Sequence, residues 1–259
     1  MNYKIEIKDN IRYIVVPRLQ ELGLKHLFTT RDMDVGIVTN DMPEDVNNNL
    51  KKVLEFLDVN PLELYSTYQT HSNNIRTIEN TNQGEKYEFG RFFPDTDGLI
   101  TDKPNIATII RFADCTPIIL FDNKRKVFAN IHSGWKGTLQ RIGEKGVNML
   151  IKNYHCDPKD IVAVIGPTIG KFDFEVDDDV ADQFKDEFGY MNNVITKKDG
   201  IKSLIDLQTI NKNMLLENGL LIENIEVINL STVASDFLHS FRRDKDGFGL
   251  MGSVVVRFE

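Results

Sequence analysis

Apolar residues follow two different periods along this chain, and the change of period separates predicted strands from predicted helices. Residues 3–8, 11–16 and 24–30 alternate or run apolar over strand-like lengths, so three strands are predicted there. From Pro43 onward an amphipathic helix is predicted, because apolar residues recur every three or four positions and proline favours the first helical turn. Its apolar face consists of Val46, Leu50, Val53, Leu54 and Leu57.

Short, continuous apolar runs in the middle and at the end of the chain predict strands that are buried on both faces. The predicted strands are 106–110, 118–121, 126–131, 161–165, 225–230 and 252–258. Helices are predicted at 138–153, 177–188 and 206–218. Because strands and helices do not alternate strictly, the pattern predicts an α+β fold of mixed sheets with helices outside them. No linker or internal repeat interrupts the chain, so residues 1–259 are predicted to form one domain.

Composition and charge exclude several kinds of partner. The 259 residues are 41% hydrophobic and 27% charged, as in a globular protein with a sizeable core. The net charge is −8 and the longest basic run is Lys124-Arg125-Lys126, so neither a nucleic acid nor a membrane is an expected partner. The first residues lack an apolar signal segment, and Cys115 and Cys156 do not suggest a disulfide framework. We therefore expect a cytoplasmic protein that acts on a small molecule, and the sequence gives no indication of an oligomer.

Three potential metal ligands lie at the ends of predicted strands. His71 follows a strand-like stretch, Cys115 lies between two predicted strands, and His132 ends the strand 126–131. Two imidazoles and a thiolate suit zinc, and three protein ligands with an open fourth position are typical of a catalytic site. The spacing matches no short zinc motif, so a structural histidine and a small buried cysteine remain alternatives. A further alternative is a nucleophilic Cys115 with a histidine base.

Other polar residues are candidates for binding and proton transfer. The turn that contains Trp135 and Gly137 precedes a predicted helix, where free N–H groups bind anions, or it is a simple glycine turn around a packed tryptophan. Arg242 is a candidate clamp for a phosphate or carboxylate, or else a surface ion pair. Asp114 and Glu175 are candidate general acids or bases, although most carboxylates on such segments are merely solvated.

Taken together, these residues resemble the YfiH/YlmD-like family, whose members are described as laccase-domain or multicopper polyphenol oxidoreductase proteins. The resemblance extends from about residue 24 to residue 259, with the motifs in the family's order. The matching motifs are Gln69-Thr70-His71, Asp97-Gly98-Leu99-Ile100-Thr101, Ala113-Asp114-Cys115-Thr116-Pro117, His132-Ser133-Gly134-Trp135-Lys136-Gly137, Ile165-Gly166-Pro167-Thr168-Ile169, Phe174-Glu175-Val176 and Ser240-Phe241-Arg242-Arg243-Asp244.

The resemblance implies a layered α/β/β/α arrangement of two mixed β-sheets with flanking helices. It also implies that His71, Cys115 and His132 bind Zn²⁺, with copper as a substitute metal. Members of the family are associated with phosphorolysis of adenosine, inosine, guanosine and methylthioadenosine, and with adenosine deamination. We therefore assign substrate binding to Gln69, Trp135, Gly137 and Arg242.

The resemblance leaves several functions open. A laccase needs a trinuclear copper cluster held by many imidazoles, and the five histidines of this chain are too few. We therefore expect a zinc-dependent purine nucleoside phosphorylase, with adenosine deamination as a second activity. The alternatives are a peptidoglycan-precursor editing hydrolase that uses zinc or Cys115, and a binding protein without turnover. Two departures from the family, Ser231 for a cysteine and Leu250 for an arginine, leave the exact substrate open.

Overall fold

The computed structural model describes residues 2–39, 42–198, 200 and 202–258, so the predicted domain 1–259 begins and ends just outside them. The strands are β1 Lys4–Lys8, β2 Ile11–Val15, β3 Leu24–Thr29, β4 Glu63–Thr67, β5 Ile75–Thr77, β6 Glu85–Tyr87, β7 Gly90–Phe93, β8 Gly98–Thr101, β9 Ile106–Phe112, β10 Thr116–Asp122, β11 Val127–Ser133, β12 Ile161–Ile165, β13 Glu175–Asp177, β14 Ile195–Lys197, β15 Lys202–Ile205, β16 Ile225–Val227 and β17 Met251–Arg257. The helices are α1 Pro17–Glu21, α2 Pro43–Leu57, α3 Trp135–Leu139, α4 Ile142–Tyr154, α5 Asp178–Phe188, α6 Leu207–Glu217 and α7 Phe241–Asp244. Short 3₁₀ turns occupy Pro158–Asp160, Ile222–Asn224 and Lys245–Gly247.

Most of these strands form two mixed sheets, as the α+β prediction required. The larger sheet has the order β1-β2-β3-β17-β9-β4-β7-β6, and the second has the order β16-β12-β10-β11-β8-β5. Both are mixed, because β4 runs parallel to β7 and β9, while β12 runs parallel to β16. A small antiparallel sheet, β13-β15-β14, lies beside them.

The two large sheets pack face to face, and helices cover their outer faces. Along β10 the side chains alternate: Ile119 and Phe121 enter the core between the sheets, whereas Ile118 and Leu120 pack with residues of α4. On the opposite side, four of the five residues of the predicted apolar face of α2 pack against the larger sheet, and the fifth, Leu54, is only half-buried. Strands covered on both faces need continuous apolar runs, which explains the pattern in the sequence. The expected α/β/β/α layering is thus confirmed.

The structure corrects two element boundaries. The helix predicted at 138–153 is divided into α3 and α4, because Arg141 adopts a left-handed backbone with φ of 57°. Its guanidinium pairs with Glu144, Glu187 and Glu217, and these partners from three helices hold the break in place. The strand predicted at 225–230 ends at Val227, as β16. Among the described residues, no helix is long and apolar enough to cross a bilayer.

Candidate metal centre

The three predicted ligands converge at one edge of the paired sheets. His71 lies in the bend after β4, Cys115 in the connection between β9 and β10, and His132 in β11. Their ligand atoms all lie within 4.8 Å of one another. The Cys115 Sγ atom is 3.6 Å from Nε2 of His71, and the two imidazole rings meet edge to face with centroids 5.0 Å apart. The fold therefore brings together three residues that are distant in sequence.

The spacing of these atoms suits a tetrahedral metal. A zinc with bonds of about 2.0–2.3 Å separates a thiolate from an imidazole nitrogen by roughly 3.6 Å, which matches the distance between Cys115 and His71. Gly134 leaves the room that the ligands need. A Cβ atom at Gly134 would lie 2.5 Å from Cδ2 of His71 and 3.2 Å from Sγ of Cys115. Glycine is thus required at this position for the ligands to approach one another.

A buried carboxylate, Asp97, organises the centre, and the spacing of the predicted ligands gave no indication of it. Its Oδ1 atom accepts a hydrogen bond from Nδ1 of His132 at 2.8 Å, which leaves Nε2 of His132 for a metal. The same carboxylate accepts hydrogen bonds from three successive backbone N–H groups, those of Thr70, His71 and Ser72. These bonds hold the bend in which His71 has a left-handed backbone, with φ of 59°. The only sequence signal for Asp97 was its place in a family motif.

Charges within the cluster shift the pKa values of His132, Cys115 and Asp97. Burial by itself lowers the pKa of His132, but the thiolate of Cys115 and the hydrogen bond to Asp97 outweigh burial and raise it to about 9. Burial by itself raises the pKa of Cys115, but the charge and hydrogen bond of His132 and the hydrogen bond of His71 lower it to about 6. Burial likewise disfavours ionised Asp97, yet its bond to His132 lowers the pKa to about 2. Cys115 is therefore a thiolate at neutral pH, the form that binds metals.

The cluster opens into a cavity of about 610 Å³, within the range of about 300–1,000 Å³ that is usual for small-molecule sites. Its wall is largely aromatic and aliphatic. The aromatic members are Tyr68, Phe112, Trp135, Phe174, Phe241 and Phe248. Tyr68 and Phe241 are more than half exposed, so they form part of the rim. Leu250, where the family often has arginine, lies in the wall, whereas Ser231 donates to Asp173 outside it.

The two candidate acid–base residues have different surroundings. Asp114 lies in the cavity wall, in a left-handed conformation with φ of 82°. Its carboxylate accepts hydrogen bonds from the hydroxyl of Thr232 and the backbone N–H of Arg242. Glu175 lies outside the cavity wall, and its carboxylate pairs with the ammonium group of Lys198. Of the two carboxylates, only Asp114 therefore has direct access to a bound ligand, although it already holds two chain segments together.

The four predicted substrate-binding residues also occupy different environments. Gln69 lines the cavity, and its amide group bridges the backbone N–H and carbonyl of Arg111 at 2.9 and 2.7 Å. Trp135 and Arg242 line the cavity as well, and the Arg242 guanidinium donates to two backbone carbonyls above the ring of Phe174. Gly137 lies against the carbonyl of Ser72, outside the wall.

The remaining histidines do not supply a second metal cluster. His26 is buried and bonded to two backbone groups, His155 ends α4, and His239 lies beside Asp34. Within the described residues, which include all five histidines, His71, Cys115 and His132 form the one group of ligands that is close enough to hold a metal. A trinuclear copper cluster would require several additional imidazoles.

Comparisons with known proteins support the resemblance that the motifs indicated. Residues 23–257 match the family model described as multi-copper polyphenol oxidoreductase laccase. Purine nucleoside phosphorylase YlmD of Bacillus subtilis is 28% identical over 225 residues, covering 86% of this chain and 81% of that protein. A purine nucleoside phosphorylase of Bacteroides thetaiotaomicron is 30% identical over 222 residues, covering 84% and 82%. The crystal structure of YfiH from Bacillus licheniformis is similar with a TM-score of 0.88 at 28% identity, covering 96% and 97%.

Proposed function

Because the chain belongs to the multi-copper polyphenol oxidoreductase laccase family, we propose from that premise that it is a zinc-dependent purine nucleoside phosphorylase. The curated relatives that carry the name purine nucleoside phosphorylase support the activity. The observation that carries the proposal is the convergence of His71, Cys115 and His132 beside Gly134, in the wall of an aromatic cavity. One such cluster supports single-metal chemistry and argues against a multicopper oxidase, despite the family's description.

The donor set suits zinc. Two imidazoles and one thiolate are ligands that zinc and copper both accept, and copper would bind as a substitute under suitable conditions. When bound, zinc supplies a Lewis acid and an open coordination position in the cavity. The chain's own contribution is orientation: Asp97 fixes the ring of His132 and the bend that carries His71.

The cavity wall supports a nucleoside as the substrate. A purine ring stacks well on aromatic side chains, and Tyr68, Trp135 and Phe241 offer such surfaces. In phosphorolysis, an oxygen of phosphate forms a bond to C1′ of the ribose while the C1′–N bond breaks. The electron pair of that bond remains on the purine, which then takes up a proton. Asp114 is our candidate for moving that proton, because it is the carboxylic acid residue in the cavity wall.

Adenosine deamination is proposed as a second activity of the same site. Water would add to C6 of the purine and ammonia would leave, so proton transfer is again required.

The substrates and products of both reactions are small polar molecules. Cys115 and Cys156 are free thiols, which supports a reducing, cytoplasmic location.

A chromatographic assay of zinc-loaded protein with adenosine, with and without phosphate, tests this proposal. We expect adenine and ribose 1-phosphate only when phosphate is present, and no product from the His71→Ala variant. Inosine that forms without phosphate would identify deamination. If zinc is bound and neither product forms, the proposed activity is wrong.

A second candidate function is amide hydrolysis of a peptidoglycan precursor, with Cys115 as the nucleophile. The lowered pKa of Cys115 beside two imidazoles favours it, since a thiolate next to a histidine is a common nucleophilic pair. A metal-bound thiolate is a weaker nucleophile. Activity that increases when zinc is removed would therefore favour this candidate over the phosphorylase.

A further inference from the structure

Arg111, near the end of β9, is a buried cation that forms no ion pair with the described residues. The residue is only 5% exposed, and its Nε atom donates to the carbonyl of Val35 at 2.6 Å. Both terminal nitrogens, Nη1 and Nη2, are buried and have no hydrogen-bond partner among the described residues. Arg111 nevertheless lines the same cavity as Cys115 and His71.

Such an arrangement is costly unless a ligand completes it. A guanidinium has five donors, and burying them without acceptors or a negative charge is unfavourable. Proteins therefore pair nearly all buried arginines. The amide of Gln69 holds the backbone of Arg111, and the carbonyl of Val35 accepts a hydrogen bond from its Nε atom, so the guanidinium is held in place. Preorganised but unsatisfied donors in a cavity are typical of a binding site for an anion.

A second unpaired group lies in the same wall. The hydroxyl of Thr39 is buried and has no partner among the described residues, and Thr39 also lines the cavity. Arg242, the other arginine of the wall, differs, because its Nη1 atom already donates to the carbonyls of Asp173 and Glu175. Among the described residues, the buried donors of the cavity wall that lack a partner are thus those of Arg111 and Thr39.

We propose that Arg111, assisted by the hydroxyl of Thr39, binds the inorganic phosphate that attacks the nucleoside. This assignment rests on the proposed function, and it names the residue that recognises the second substrate. Arg111 and Cys115 are four residues apart, so their Cα atoms are at most about 14 Å apart. A single nucleoside can therefore contact the metal cluster and a phosphate held by Arg111. The planar fork of the guanidinium suits two oxygens of one phosphate.

Calorimetric titration of inorganic phosphate into wild-type protein and into the Arg111→Met and Arg111→Lys variants tests the proposal. We expect Arg111→Met to weaken phosphate binding by about tenfold to a hundredfold, the usual effect of losing a charge-assisted pair. Arg111→Lys retains the charge but not the planar fork of donors, so its affinity for phosphate should lie between those of the wild type and Arg111→Met. Arg76→Met, which removes an exposed arginine of β5 outside the cavity wall, is the matched control and should bind like wild type.

The same variants are assayed with adenosine at varied phosphate. We expect Arg111→Met to raise the KM for phosphate and to leave the KM for adenosine nearly unchanged. Equal phosphate binding by wild type and Arg111→Met overturns the assignment, even if the wild-type protein is a phosphorylase. Phosphate binding that Arg111→Met abolishes, without phosphorolysis by the wild type, supports the subsite and rejects the proposed reaction.

NMR of wild-type protein with ¹⁵N-labelled arginine covers the case in which Arg111→Met fails to fold. This measurement reports on the guanidinium of Arg111 even though that group is buried. We expect inorganic phosphate, but not acetate, to shift the side-chain resonances of Arg111 while leaving those of Arg76 unchanged. Unchanged Arg111 resonances at saturating phosphate contradict the proposal. Equal shifts with acetate contradict the assignment to phosphate and indicate a carboxylate site.

Discussion

Nδ1 of His132 lies 2.8 Å from Oδ1 of Asp97, whose side chain is completely buried. Because that bond occupies Nδ1, Nε2 is the ring nitrogen of His132 that remains for the cluster with Sγ of Cys115 and the ring of His71. The backbone N–H of His71 donates to the same carboxylate oxygen at 3.1 Å. A single acidic side chain therefore positions two of the three proposed metal ligands, as carboxylates behind zinc-binding histidines commonly do.

The first prediction concerns this carboxylate. Asp97→Asn keeps the shape of the side chain but removes the charge that supports His132. We expect the affinity for zinc to fall about 10- to 100-fold, the usual effect of losing such a partner. Competition with a chelator measures the affinity. Asp95→Asn is the matched control, because Asp95 bonds to Thr70 and Asn74 rather than to a ligand side chain. Equal affinities in the two variants would contradict the role of Asp97.

Gly134 provides the second prediction. In Gly134→Ala the new methyl group would lie 2.5 Å from the ring of His71, so that ring must move out of the cluster. We expect about a tenfold or greater loss of zinc affinity, with the thermal unfolding midpoint of the metal-free protein almost unchanged. Gly247→Ala has open space around its Cβ position and serves as the control. Normal zinc binding by Gly134→Ala would show that the ligands do not meet beside this glycine.

The two cysteines should differ strongly in reactivity. The pKa of Cys115 is about 6, so this thiol is about 90% ionised at pH 7, whereas burial raises the pKa of Cys156. In metal-free protein, iodoacetamide should alkylate Cys115 quickly and Cys156 hardly at all. The rate at Cys115 should decline as the pH falls below about 6, and zinc should protect it. Mass spectrometry of the two peptides measures both rates. Slow alkylation of Cys115 at pH 7 would refute its thiolate state.

His26 should make folding stability depend on pH. Burial lowers its pKa to about 4, and its Nε2 atom accepts a hydrogen bond from the backbone of Val16. A histidine with a lowered pKa stabilises the fold above its unfolded value of 6.5, and that contribution is lost as the pH falls towards 4. We expect the free energy of unfolding to decline by on the order of 3 kcal/mol over this interval. Urea titrations at several pH values measure it, and His26→Gln should show a smaller decline. If the free energy of unfolding declines equally in the wild type and in His26→Gln, His26 is not the cause of the decline.

Much of the fold was predictable because buried strands and buried helix faces are made of apolar residues. Strands that are covered on both faces have continuous apolar runs: β12 is apolar throughout, and β10 is apolar from Pro117 to Phe121. Both predicted strands are confirmed. The interruption between α3 and α4 was not predictable, since it depends on the ion pairs of Arg141 with residues from distant segments. Periodicity reports which face is buried, but it does not report tertiary partners.

The candidate site was predictable only in part. The ligands could be found because imidazoles and thiolates are chemically distinctive and lie in family motifs. Asp97 is one of many carboxylates, 26 residues from His71 and 35 from His132, and only folding places it behind them. Arg111 lies within a largely apolar strand, and only the three-dimensional structure shows that its Nη1 and Nη2 atoms have no partner among the described residues. Glu175 was a reasonable candidate from sequence, but the structure places its carboxylate against Lys198.

The central claim is that His71, Cys115 and His132 together bind one metal ion. Zinc content after equilibration with limiting free zinc, measured by elemental mass spectrometry, tests this claim most directly. His155→Asn is the control, since His155 lies at the end of α4 and asparagine tolerates its left-handed backbone. The account predicts one tightly bound zinc per chain in the wild type and in His155→Asn, and loss of that zinc in Cys115→Ser and in His132→Ala. Undiminished zinc binding by Cys115→Ser or His132→Ala, or no zinc in the wild type, would contradict it.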